Sequence, residues 1–218
     1  MIRIRRIYDD MLPKDREVIK EVQAILRGQF PLLSEEAVKE FPQQLGNPLK
    51  YRFRTILFVA EGLRGGVKGF ALLQHAPDVR FCYLDFISAA RYKTGGGIGS
   101  VLYERVREEA LSMSSIGLFF ECLPDDPNLC IDPRVLKQDA QRLRFYERYG
   151  ARPITNTAYE TPLHPDDDCP PYLVFDSLGR PGGIPRHRAR EIVRAILERK
   201  YGDLCPVEYV DLVVNSFK

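Results

Sequence analysis

Four glycines fall within residues 94–99 (Thr-Gly-Gly-Gly-Ile-Gly), between an apolar run from Leu84 to Ala89 and a helical stripe that begins at Ile98. Glycines there let backbone N–H groups converge at a helix N-terminus, where the dipole adds about half a positive charge, so a pyrophosphate is a natural guest. The competing reading is a tight connection that needs positive φ. Either way the chain must contain a strand, a turn and a helix in immediate succession.

The flanking sequence extends that unit in both directions. Ile2 and Ile4 alternate with Arg3 and Arg5, the period of a half-buried strand. From Lys14 the residues Val18, Ile19, Val22, Ile25 and Leu26 share a helical face that ends at Gly28, and Ser34 N-caps a second helix that Pro42 should stop. Thr55–Ala60 and Val67–Leu73 read as a hairpin and Phe81–Ala89 as a third strand. Ile98, Val101, Leu102 and Val106 mark the helix after the glycines, and Gly117–Glu121 a short buried strand. A proline-rich loop precedes a helix through Leu136, Ala140, Leu143 and Tyr146, and Thr155–Thr161 and Tyr172–Asp176 are expected as final strands. Gly179–Pro185 reads as a hinge, followed by helical stripes at Ile192, Val193, Ile196 and Leu197 and at Val210, Val213, Val214 and Phe217.

Composition excludes several classes. With 218 residues, 44% hydrophobic, and 32 basic groups against 30 acidic, the net charge is +2. That argues against a general nucleic-acid or anionic-membrane binder and against disorder. No run approaches the ~20 apolar residues of a membrane helix, so a soluble, cytoplasmic protein is expected. Cys82, Cys122, Cys130, Cys169 and Cys205 form an odd, scattered set without a C-x-x-C pair, which points to reduced thiols. His75, His164 and His187 lie far apart, so no metal is expected.

Two phosphate motifs can be tested on the glycine turn. A Walker loop fails because no Gly-Lys-Ser/Thr follows. A dinucleotide fingerprint is approached by Gly95-x-Gly97-x-x-Ser100, with Glu121 placed as a ribose-binding acid, but its third glycine is missing and Arg91–Thr94 intervene after the strand. A nucleotide-dependent oxidoreductase is therefore a third-ranked reading.

Over most of residues 1–178 the chain resembles the GNAT superfamily of acyl-CoA-dependent N-acyltransferases. The family's R/Q-x-x-G-x-G/A motif, which follows a strand, is similar to Thr94-Gly95-Gly96-Gly97-Ile98-Gly99 after Ile87-Ser88-Ala89. Its second signature, F-Y-x-x-x-G-F, resembles Phe145-Tyr146-Glu147-Arg148-Tyr149-Gly150-Ala151. The resemblance implies an α/β fold with a mixed, largely antiparallel central sheet flanked by helices, here with a C-terminal helical extension. It divides the chain into an acetyltransferase domain (1–178), a hinge (179–185) and the extension (186–218).

The activity implied is attack of a primary amine, on a small molecule or a protein, on the thioester of acetyl-CoA in a ternary complex. Backbone groups of Ile87, Ser88 and Ala89 would hold the pantetheine, and Thr94, Gly95, Gly96, Gly97, Ile98, Gly99 and Ser100 the pyrophosphate. Thr94 stands where the family has Arg or Gln, and Arg91 or Lys93 could replace that charge. Tyr146 matches the family's tyrosine beside the CoA sulfur and is the candidate general acid; a packed core tyrosine is the alternative. Glu121 is the first candidate for the base and Asp85 the second, each set against a structural carboxylate. Asp125, Asp126 and Asp132 either attract a cationic amine such as a polyamine or lysine or keep a loop solvated, and Asp166–Asp168 read mainly as a polar turn. The C-terminal stripes must be buried, on their own domain, against a second copy or against a further domain, since the segment also resembles modules that precede a deacetylase-like domain. A non-catalytic acyl-CoA-binding regulatory module is the alternative to an enzyme.

Overall fold

The computed structural model describes residues 2–31, 33–63, 65–89, 97–130, 132–160 and 169–218. It divides into two compact units, Met1–Ser114 and Ser115–Lys218.

The first unit runs β1 (Ile2–Ile7), α1 (Pro13–Gln29), α2 (Glu35–Gly46), α3 (Pro48–Tyr51), β2 (Arg54–Gly62), β3 (Val67–Ala76), β4 (Phe81–Ala89) and α4 (Ile98–Ser112). β1 to β4 pair antiparallel in chain order. β2 and β3 are covered on both faces, which is why they read as continuous apolar runs rather than alternating ones. Leu57, Val59, Phe70 and Leu72 receive Val18, Val22 and Leu26 of α1 and Val38 and Phe41 of α2.

Two local expectations are corrected here. α2 continues through Pro42 to Gly46. A mid-helix proline leaves the carbonyl four residues earlier without its donor, and Gln23 Nε2 supplies one to the Val38 carbonyl at 2.7 Å. On α4 the buried face is Ile98, Leu102, Tyr103, Val106 and Ala110, whereas Val101 is 44% exposed. Glu109 on that helix is buried, and Arg6 and Arg105 pair with it.

The second unit contains β5 (Leu118–Cys122), α5 (Pro133–Glu147), β6 (Arg152–Pro153), a 3-10 turn (Ala158–Glu160), β7 (Tyr172–Asp176), α6 (Arg186–Ile196) and α7 (Val207–Ser216). A π-helical turn, Leu197–Tyr201, prolongs α6. β7 pairs antiparallel with both β5 and β6. The strand expected over Thr155–Thr161 does not form in the described residues 155–160: the two-residue β6 ends before it at Pro153, Ala158–Glu160 is the 3-10 turn, and Thr161 lies outside the described residues. Local bonds override the strand pattern there, because Ser216 Oγ accepts from Ala158 N at 2.8 Å and Tyr159 turns to bond a carboxylate.

Residues 186–218 pack inside this unit. Ile192, Val193 and Ile196 of α6 are buried, as are Val210, Val213 and Val214 of α7. Arg194 pairs with Asp211 at 2.7 Å, and Arg190 donates to the Phe217 and Asn215 carbonyls at the end of α7. Asp132 N-caps α5 by accepting from Arg134 N at 2.8 Å, and Asp126 Oδ1 accepts from Asn128 N. These bonds give two of the loop's aspartates local duties.

The expectation of five reduced thiols is overturned: Cys130 and Cys169 form a disulfide, while Cys82, Cys122 and Cys205 are buried thiols outside any disulfide. The partners stand 39 residues apart, and the fold brings their Cα atoms to 4.6 Å, a proximity invisible in spacing. Among the described residues, no helix is long and apolar enough to cross a membrane, and no cluster of three His, Cys, Asp or Glu side chains could hold a metal.

Closing a loop of that size removes about 4 kcal/mol of unfolded-chain entropy in the chain-entropy model. Dithiothreitol, or the pair Cys130→Ser and Cys169→Ser, should therefore lower the melting temperature by several degrees in a thermal scan. An unchanged melting temperature would show that the bond adds nothing to stability.

Candidate functional site

In the first unit the end of β4 is shaped by a bulge. Leu84 pairs with Leu73 and Phe86 with Leu72, so the ladder register skips Asp85. A bulge bends its strand and re-aims the residues beyond it, here Phe86 to Ala89. Asp85 is half-buried and accepts from Gln74 Nε2 at 3.4 Å. The end of α1 clasps the re-aimed segment: Gln29 Nε2 donates to the Ala89 carbonyl at 2.7 Å, Ser88 Oγ donates to Gln29 Oε1, and Phe30 meets Phe86 edge-on at 4.9 Å.

α4 starts directly over this segment. Gly97, at φ 72°, holds the left-handed conformation that lets the chain enter the helix, and no side chain caps it. The first turn carries no acidic residue, so the orphan N–H groups of the helix start keep their partial positive charge. The helix sits low because Gly69 lies beneath it. A Cβ at Gly69 would meet the Ser88 carbonyl at 2.7 Å and Ile98 Cγ2 at 2.8 Å. The structure thus brings Ser88, Ala89, Gly97 and Ile98 together, with Gly99 and Ser100 on the same turn. Thr94, Gly95 and Gly96, with Arg91 and Lys93, lie outside the described residues, as do Asp166–Asp168 and His164.

In the second unit β5 separates two chemistries by the alternation of a strand. Phe120 and Cys122 face α5, where the Tyr146 ring lies 4.4 Å from Phe120 and 5.0 Å from Phe145. Tyr146 is 5% exposed, and burial, with a smaller contribution from Cys122, pushes its phenol well above the ordinary tyrosine range. Burial likewise pushes the Cys122 thiol up to about 12, which makes it an inert core group.

Glu121 points to the opposite face. Its Oε1 accepts from the Tyr159 hydroxyl and its Oε2 from the Tyr201 hydroxyl, with Lys200 Nζ at 3.9 Å. Cys205 and Tyr209 also feel this carboxylate; their protons are held by burial first and by neighbouring negative charge second, Tyr209 up to about 12. Tyr146 therefore packs on one face of β5 and Glu121 lies on the other.

Sequence reasoning did not single out Gln29, Gly69, Tyr159 or Tyr201. Gly69 carried a usable signal, since a glycine within an apolar strand marks a close approach. Tyr201 carried none, because 80 residues separate it from Glu121.

No protein-family model matches the sequence, and a search of curated proteins finds no significant match. Solved structures do match. An aminoglycoside 6′-N-acetyltransferase complexed with coenzyme A superposes with a TM-score of 0.60 at 16% identity, over 83% of this chain and 99% of that one. A GNAT-family protein from Desulfovibrio desulfuricans gives 0.59 at 16% identity, over 82% and 100%. The aminoglycoside 6′-N-acetyltransferase from Enterococcus faecium gives 0.56 at 14% identity, over 83% and 99%. The fold is that of the GNAT acetyltransferases, mixed α/β with mostly antiparallel strands.

Gly69→Ala should force the first turn of α4 off the sheet and cost about 1–3 kcal/mol by overpacking against backbone. Urea unfolding measures it; a variant as stable as wild type would mean that the turn moves freely.

Proposed function

We propose that this chain transfers the acetyl group of acetyl-CoA to a primary amine by direct attack in a ternary complex. The observation that carries the reading is the uncapped N-terminus of α4, free of acidic residues and lowered by Gly69 onto the bulged end of β4. A helix start of that kind suits a pyrophosphate. The same fold serves the neighbouring acetyltransferase that is complexed with coenzyme A.

In this reading the N–H groups of Gly97 to Ser100, continued by Thr94 to Gly96, hold the pyrophosphate. The re-aimed backbone of Ile87 to Ala89 holds the pantetheine, kept straight by the Gln29 clasp. The amine nitrogen forms its bond to the thioester carbon, the carbon–sulfur bond breaks, and Glu121, on the other face of β5 from Tyr146, takes the surplus proton from nitrogen through water. Asp85 is the second candidate for that proton. Tyr146 is the candidate hydrogen-bond donor to the departing sulfur, and the thiol finally carries the proton that left the nitrogen. Because burial raises its pKa, the phenol keeps its own proton, which suits a donor that steadies the sulfur rather than an acid that gives its proton away. The acceptor is an amine on a small molecule or a protein, the class to which the neighbours' aminoglycosides also belong.

Free-thiol release from acetyl-CoA in the presence of spermidine, a lysine-containing peptide or an aminoglycoside tests the activity. Release with one of these amines supports it, and coenzyme A binding without release supports a regulatory module instead. Tyr146→Phe should lower kcat by about tenfold or more while leaving acetyl-CoA affinity within about twofold. The wild-type pH–rate profile should also lack a downward limb near pH 10, where an ordinary tyrosine ionises. A limb there that disappears in Tyr146→Phe would contradict the assigned burial effect. Glu121→Gln should remove the ionisation on the acidic side of the same profile.

A further inference from the structure

The C-terminal helices lie outside the motifs that suggest the activity, yet they close on its candidate base. Four groups from residues 200–209 surround Glu121: Lys200, Tyr201, Cys205 and Tyr209. Tyr159, from the turn before β7, is the fifth. The carboxylate is 17% exposed, so it is reachable but held in a largely protein environment.

The two hydroxyls divide the work between them, one on each oxygen. A glutamate has three side-chain torsions, and a single hydrogen bond leaves the plane of its carboxylate free to swing. Two donors on separate elements fix both oxygens and with them that plane. Each oxygen retains a second lone-pair direction in which to accept a proton. The neighbouring Cys205 and Tyr209 keep their own protons and add no competing charge. A base that must meet an ammonium proton within hydrogen-bond reach benefits from this fixing, since an error of about 1 Å in such geometry can cost 100-fold in rate.

We infer that Tyr201 and Tyr159 are positioning residues for Glu121, so that the segment 186–218 is a working part of the acyl-transfer site. The inference rests on the reading of Glu121 as base. A purely structural role would be different: the tyrosines would tie the C-terminal helices to β5, and their loss would act equally whether or not a carboxylate was present.

A double-mutant cycle separates the two. Amine-dependent thiol release is measured for wild type, Tyr201→Phe, Glu121→Gln and the double variant, with coenzyme A affinity measured by calorimetry and folding by circular dichroism. Tyr201→Phe should lower kcat by about tenfold or more with coenzyme A affinity within about twofold, and in the Glu121→Gln background it should change kcat by less than about twofold. Equal factors in both backgrounds overturn the inference while leaving the proposed activity standing. If Tyr201→Phe does not fold, Tyr159→Phe supports the same cycle, because its hydroxyl serves the other oxygen. Absence of thiol release by wild type with every amine overturns the activity and this inference together.

Discussion

The close approach of α4 to the sheet at Gly69 is the contact on which the first unit depends. A helix start binds anions only if its N–H groups are open and its position is fixed. Gly97 provides the entry into the helix, and Gly69 sets its height, since any side chain at residue 69 would occupy the space of the Ser88 carbonyl and Ile98. The bulge at Asp85 and the Gln29 clasp act on the same few residues from the other side. Three independent devices therefore fix one strand end, which is more than packing alone requires.

The second unit places opposed environments one residue apart. Phe120 and Cys122 look into a dry aromatic layer in which Tyr146 is forced to keep its proton. Glu121, between them in sequence, looks into a layer of hydroxyls and one ammonium that keeps a carboxylate hydrogen-bonded. Alternation along one strand thus keeps a buried phenol and a hydrogen-bonded carboxylate in separate surroundings.

Much of this was legible in the sequence wherever local periodicity and backbone chemistry decide the outcome. Phe81–Ala89 is β4 to the residue, and Ser34 caps α2 by accepting from Ala37 N, because apolar runs and caps are local signals. Legibility failed where a distant group changed a local rule. Gln23 rescues the Val38 carbonyl that Pro42 abandons, so a residue on another helix decides that α2 continues. Cys130 and Cys169 meet across 39 residues, and Tyr201 meets Glu121 across 80, so neither pairing leaves a trace in spacing. For the site, the glycine turn announced the helix start, whereas its supports, Gln29 and Gly69, came from α1 and β3.

Several arginines of the chain are committed to carboxylates. Arg5 joins Asp15 and Glu61, Arg6 and Arg105 converge on buried Glu109, and Arg194 bridges Glu198 and Asp211. Arginines paired with carboxylates in this way do not add up to a basic face, in keeping with the net charge of +2. An anionic ligand must then be held mainly by oriented backbone dipoles. Such dipoles act over the length of one helical turn, and salt screens them less than it screens exposed lysines once the ligand excludes water. In the proposed reading, selectivity for a phosphate at the start of α4 is a property of geometry, and Gly69 sets that geometry by letting the helix start approach the sheet.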